Sequence, residues 1–277
     1  MFGVSYLAFL RDLAQRFETD WATIASTLER IRTMLVNRAT MLVNVTADAA
    51  GMDRLKPHLT GLLERLPTAS SVRATWRPIQ DNKAEGLTIP AKVNYVVKGA
   101  SLSQLGFTPN GSTHVVKSYL DIDWLWHKVR VQGGAYGGGC VLDRRATLFA
   151  FYSYRDPNLL ETLDVYDGTA GFLRSANISP SQLERCIIGT IGEIDPYRLP
   201  DAKGFEAMQL HLVGDTDMVR QRVREEVLST TIADVRKFAE VATEIARCGR
   251  LVVIGSKASV ESANNKRPGL LSMAKLL

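Results

Sequence analysis

No pair among the four histidines of this chain is spaced to hold a metal. His58, His114, His127 and His211 stand alone, and neither H-E-x-x-H nor H-x-x-E-H occurs, so no helix face offers two imidazoles to zinc. Cysteine is equally scarce. Cys140, Cys186 and Cys248 are far apart, odd in number and without Cys-x-x-Cys spacing, which argues against a disulfide framework and a structural zinc site alike. They read as buried free thiols. A Gly-x-Ser-x-Gly elbow is missing, and Asp156, Asp164, Asp167, Glu193 and Asp195 read as cap and turn residues, so neither a nucleophile nor a general base is expected. No run of about 18 uncharged apolar residues spans a bilayer. The apolar start meets Arg11-Asp12 at once, unlike a signal peptide. The net charge of +5 is not gathered in one place: Arg220, Arg222 and Arg224 alternate with Asp217, Glu225 and Glu226, as on a solvated helix face. Neither nucleic acid nor membrane is an expected partner.

Apolar residues make up 45% of the chain and charged residues 23%, a composition that builds a folded core. Tyr6, Leu10, Leu13 and Phe17, then Trp21, Ile24, Leu28, Ile31 and Leu35, predict two amphipathic helices. A helical hairpin has no core of its own, so residues 1–38 are expected to close a preceding unit, with one domain over 39–277. Residues 41–46, 72–79 and 91–99 alternate as strands, the last with Val93, Tyr95 and Val97 on one face. Leu55, Leu59, Leu62 and Leu66 predict a helix with Pro57 in its first turn. A stripe of Val115, Tyr119, Ile122, Trp126 and Val129 predicts a helix capped by Asn110-Gly-Ser-Thr. Strands at 140–143 and 147–153 form a hairpin. Asp156-Pro157 and Ser179-Pro180-Ser-Gln182 read as helix starts, the second a capping box. Helices follow near 180–192, 202–213, 217–228 and 232–247, then a strand at 251–256 and a short, charged tail helix. The sum is an α+β domain, mainly antiparallel, with helices on one face of its sheet.

The segment Arg130-Val-Gln-Gly-Gly-Ala-Tyr136-Gly-Gly-Gly-Cys140 has the most to say about function. Gly133, Gly134, Gly137, Gly138 and Gly139 leave it nearly free of side chains, so another backbone can come close. Apart from Gln132, Arg130 at the end of the helix and Tyr136 in the following loop are the polar side chains placed to grip it. The order helix, loop, strand, with Cys140-Val141 after the last glycine, does not fit a phosphate loop. Read alone, these residues describe a peptide groove or simply a tight turn.

Several blocks occur in an order that resembles one family. Asn110-Gly-Ser, Trp124-Leu-Trp, Val129-Arg-Val-x-Gly-Gly-Ala-Tyr-Gly-Gly, Ser153-Tyr-Arg-Asp-Pro-Asn-Leu, Thr162-Leu-Asp-Val-Tyr-Asp-Gly-Thr and Ile187-Ile-Gly-Thr-Ile-Gly are similar to the last domain of presequence proteases. Those enzymes are pitrilysin-type, inverted-zinc-motif metallopeptidases; the plant and algal organellar type is nearest. The resemblance implies a pitrilysin/LuxS-like metallopeptidase domain, preceded by a hairpin from the end of a third domain. It implies zinc and its base in an amino-terminal half that this sequence lacks, none of either here, and no cleavage by this chain alone. Arg130 and Tyr136 match the arginine and tyrosine that reach the carbonyls beside the scissile bond, with Gly133, Gly134 and Gly137 as backbone against the peptide. The implied partners are a peptide substrate and the zinc-bearing half, and the implied compartment is the mitochondrial matrix or chloroplast stroma. The chain is expected to be a fragment, a split product or a partial gene product of such an enzyme; the alternative is a stand-alone, non-catalytic peptide-binding or assembly subunit of the same fold.

Overall fold

A computed structural model describes residues 3–70, 73–75 and 84–276. The chain divides into two compact units, Met1–Ile79 with Tyr197–Asp215, and Gln80–Pro196 with Thr216–Leu277.

The first unit holds helices α1 (Val4–Thr19), α2 (Trp21–Leu35), α3 (Ala49–Glu64) and α8 (Pro200–Leu212). Both helices of the predicted hairpin form, with Asp20 between them. Asn37, almost wholly buried, ties the chain after α2 to the chain after α3: its side chain donates to the Ala69 carbonyl and accepts from Ala69 N–H and Ala39 N–H. Residues 41–46 are not a strand. They find no sheet partner, and instead Asn44 donates to the Gly204 carbonyl at 3.1 Å. The α3 helix starts at the Asp48 cap, so Pro57 lies in its interior and not its first turn. Of the predicted strand at 72–79, residues 73–75 are irregular and the rest lie outside the described residues.

The second unit is built on a six-stranded sheet in the order β3-β4-β2-β5-β1-β6, namely β1 (Glu85–Thr88), β2 (Asn94–Ser101), β3 (Gly137–Asp143), β4 (Leu148–Asp156), β5 (Arg250–Gly255) and β6 (Ser272–Lys275). The four strands from β3 to β5 pair antiparallel; β1 runs parallel to both β5 and β6. Helices cover one face. Of β4, Phe149 packs on Phe238 of α10 (Ile232–Cys248) and Phe151 stacks on Tyr166 of α5 (Leu160–Asp167). Lys98 of β2 also points into this layer, ion-paired with Asp167 at 2.5 Å and donating to the Ala246 carbonyl at 2.7 Å. Asn94, Val96 and Lys98 of β2 are therefore buried on the covered face, while Tyr95 and Val97 look out from the uncovered one.

The other helices are α4 (Gly111–Tyr119), α6 (Thr169–Arg174), α7 (Pro180–Ile194), α9 (Asp217–Leu228) and α11 (Lys257–Lys266). Capping boxes start α4 at Asn110, α7 at Ser179 and α10 at Thr231, each satisfying amides that a helix start leaves open. Asp156 is no helix cap. Its carboxylate is fully buried and accepts from Asn158 N–H and the Thr162 hydroxyl, and α5 begins four residues later. Cys140 and Cys186 are buried as expected, whereas Cys248 is exposed.

Candidate functional site

From Leu120 to Gln132 the chain continues α4 as a π-helix. Bonds that close one residue later than in an α-helix widen each turn, so the buried stripe passes through Leu120, Leu125 and Val129, in steps of five and four. This is why a 3.6-residue period misplaces the face. Ile122 and Trp126 are 58% and 45% exposed. Of the two tryptophans, Trp124 points inward, its ring stacked on Phe172 and its N–H shared between the Val165 carbonyl and Thr169 hydroxyl. Trp126 points out, and four residues on the Arg130 guanidinium lies over its ring, 4.0 Å from the centroid.

Three amides end the π-helix. Gly133 N–H donates to Lys128, Gly134 N–H to Arg130 and Ala135 N–H to Val129. Gly134 has φ +78°, the left-handed conformation that reverses the chain here and that glycine adopts without penalty. The turn is also tied from outside: Asn158 donates its side-chain amide to the Gly133 carbonyl at 2.6 Å, and Tyr136 N–H donates to the Arg155 carbonyl. Tyr136 is 60% exposed, its ring edge-on to Tyr154 at 5.4 Å.

The five glycines are divided between this turn and a strand. Gly137, Gly138 and Gly139 open β3, and much of the space they leave is taken by the chain itself. A Cβ on Gly137 would strike the Tyr154 ring, one on Gly138 would lie 2.7 Å from Val129 Cγ1, and one on Gly139 2.8 Å from Asp121 Oδ1. The glycines thus let the π-helix and two tyrosines close on the edge strand. Asp121 fixes that closure. Its Oδ1 accepts from Cys140 N–H at 2.6 Å and its Oδ2 meets Lys117 Nζ at 3.0 Å, with Glu193 beyond at 3.6 Å. Burial opposes the charge of Lys117, but Asp121 and then Glu193 hold its ammonium above the ordinary lysine range. Burial, and then Asp121, push the Cys140 thiol up, so it is no nucleophile.

The structure therefore sets Arg130 and Tyr136 at the two ends of one braced turn. Five further residues shape the site: Trp126, Tyr154 and Arg155 by ring contact, Asp121 and Asn158 by hydrogen bonds. A phenol and a guanidinium on fixed backbone are suited to donating hydrogen bonds to carbonyl or carboxylate oxygens. Among the described residues no three His, Cys, Asp or Glu side chains come together to hold a metal, and no helix is long and apolar enough to cross a membrane.

Residues 84–257, from the residue before β1 to the first residue of α11, match the family described as PreP C-terminal domain. The chain belongs to that family. The whole chain is 41% identical, over all of its length, to 26% of "Presequence protease 1, chloroplastic/mitochondrial" of Arabidopsis thaliana. The chain spans about a quarter of the length of the curated relatives it matches. In fold it is similar to pitrilysin, with a TM-score of 0.50 and 13% identity over 82% of this chain and 25% of that one. It is similar too to a peptidase M16 inactive domain from Pseudomonas fluorescens, with a TM-score of 0.50 and 11% identity over 76% of this chain and 52% of the other. The expected pitrilysin-type α+β architecture of the PreP C-terminal domain is thus present.

Proposed function

We propose that this chain is the substrate-contacting carboxy-terminal part of a zinc metalloendopeptidase that degrades cleaved targeting presequences and other short unstructured peptides. The observation that carries this reading is the state of Arg130. Its half-buried guanidinium is stacked on Trp126, has no carboxylate in ion-pair reach among the described residues, and stands one braced turn from the exposed Tyr136 phenol. A cation held without an acid partner keeps its donors for a ligand. Two such donors aimed at a peptide carbonyl strengthen as that oxygen gains negative charge, which is stabilisation realised mainly in the transition state. Gly133 packs against the Val129 carbonyl, whereas Gly134 has only Pro157 near it, at 3.7 Å, and leaves room for the peptide's own main chain; Gly137 starts the edge strand beside the turn.

Among the described residues no group of His, Cys, Asp or Glu fits a zinc centre; in this reading the metal and the general base are supplied by an amino-terminal half, without which the chain cleaves nothing. Residues 1–38 close the domain that precedes this one in the complete enzyme. The compartment is the mitochondrion or the chloroplast, following the name of the Arabidopsis relative. Mixing the chain with a matching zinc-bearing half restores cleavage of an unstructured peptide. Arg130→Ala or Tyr136→Phe then lowers the rate by on the order of 100-fold; full activity in both variants overturns the assignment.

A further inference from the structure

The end of β4 carries an irregularity that the turn's bracing alone does not require. Between the pairs Asn94↔Asp156 and Val96↔Ser153, β2 advances two residues while β4 advances three, so Tyr154 and Arg155 share a β-bulge opposite Tyr95. Arg155 occupies it with φ +49°, the left-handed region in which glycine is the usual residue. Thr147 shares that conformation, but in the β3–β4 hairpin turn, where left-handed residues are ordinary. Arg155 is held from both sides: Asp156 is locked by Asn158 and Thr162, and the Arg155 carbonyl accepts from Tyr136 N–H. Its side chain is exposed, has no carboxylate in ion-pair reach among the described residues, and places its guanidinium 5.4 Å from the centre of the Tyr136 ring. A bulky residue kept in a strained bulge, aimed at one aromatic ring, calls for a reason in what that ring does.

We propose that Arg155 is a positioning residue for Tyr136. Its carbonyl fixes where β3 begins, and its guanidinium lies over the phenol while Tyr154 closes on the ring at 62°, so the hydroxyl is presented to a peptide carbonyl in one orientation. This rests on the reading of Tyr136 given above.

The test uses Arg155→Gly, Arg155→Lys and Tyr136→Phe, in the chain alone and with the zinc-bearing half. Glycine takes the left-handed backbone freely, so the thermal midpoint of Arg155→Gly holds or rises by roughly 2 °C. In the chain carrying 13C-labelled tyrosine, the Tyr136 ring signals of Arg155→Gly shift and sharpen as the ring gains freedom. With the zinc-bearing half, kcat falls at least about 10-fold with KM within about two-fold. Arg155→Lys recovers most of the loss, and Arg155→Gly adds little to Tyr136→Phe. Unmoved Tyr136 signals in Arg155→Gly overturn the proposal, as does unchanged kcat beside a large loss in Tyr136→Phe. A fall of several degrees in midpoint overturns it too, by making Arg155 structural. Ring signals that move while Tyr136→Phe cleaves at full rate instead overturn the site reading and leave the positioning contact standing.

Discussion

His114, half-buried in α4, shows how a residue with no part in the site still sets a working range. Burial, then Arg144 and Lys117, lower its pKa below the ordinary 6.5, against a weaker pull from Glu193. In the unfolded chain this histidine takes up a proton near pH 6.5, while in the folded chain it resists, so its contribution is complete above that pH and is lost as pH falls. Urea unfolding at pH 7.5 and 5.5 should therefore show an acid-side loss of stability that is smaller in His114→Gln. The thiols provide a second check. Burial, followed by Asp121 for Cys140 and Asp123 for Cys186, pushes both thiols up, whereas Cys248 is exposed. A disulfide reagent should release one equivalent of chromophore quickly from the native chain and three after denaturation; rapid reaction of three thiols in the native chain would contradict the packing. At this scale the placing of Arg130 and Tyr136 on either side of one glycine turn was legible, since a polar pair around glycines stands out in the sequence. Arg155, Asn158 and Asp121 were not. Their meaning depends on which distant backbone they meet, and Asp156-Pro157 imitates a helix start closely enough to hide the bracket it forms.

Among the elements, the π-helix is the one that decides where the site points. Had residues 120–132 kept an α-helical period, Ile122 and Trp126 would share the buried stripe with Val129, and the ring under Arg130 would turn away from solvent with them. The widened turn is held where Val129 packs over Gly138 and Asp121 reaches the edge of β3. A methyl group on Gly138 would have to displace Val129 or the strand. Gly138→Ala should therefore destabilise the second unit by about 1–3 kcal/mol in urea unfolding. It should reduce peptide cleavage with the zinc-bearing half further than lost folded protein accounts for, because the turn carrying Tyr136 moves with the strand. Long periodic helices and the β3–β4 hairpin were readable because their pattern is local. β1 and β6 were missed because they are four residues each and become strands through parallel pairing with β5 and β1. Residues 41–46 failed in the opposite way: an alternating pattern is not a strand without an edge to join.

Taken whole, the molecule has one well-filled core and one unit without it. In the first unit Ile24 is the buried apolar residue among those described, while Phe9, Phe17, Trp21, Leu28, Met34 and Leu35 are all more than half exposed. Aromatic and aliphatic stripes of that size mark surfaces made to be covered. The purified chain should self-associate at tens of micromolar, and the zinc-bearing half should dissolve that association as it restores cleavage; a monomer by light scattering would count against both. The strand order of the second unit has a different kind of consequence. β1 lies between β5 and β6, and the first of these partners is made roughly 170 residues later. Glu85–Thr88 therefore waits, unpaired, through the synthesis of nearly all the unit, and the sheet closes only when the last segments arrive. Such a chain folds late and all at once, so during its making it depends on whatever shields an open strand, and a substitution that slows closure would harm its yield before its activity.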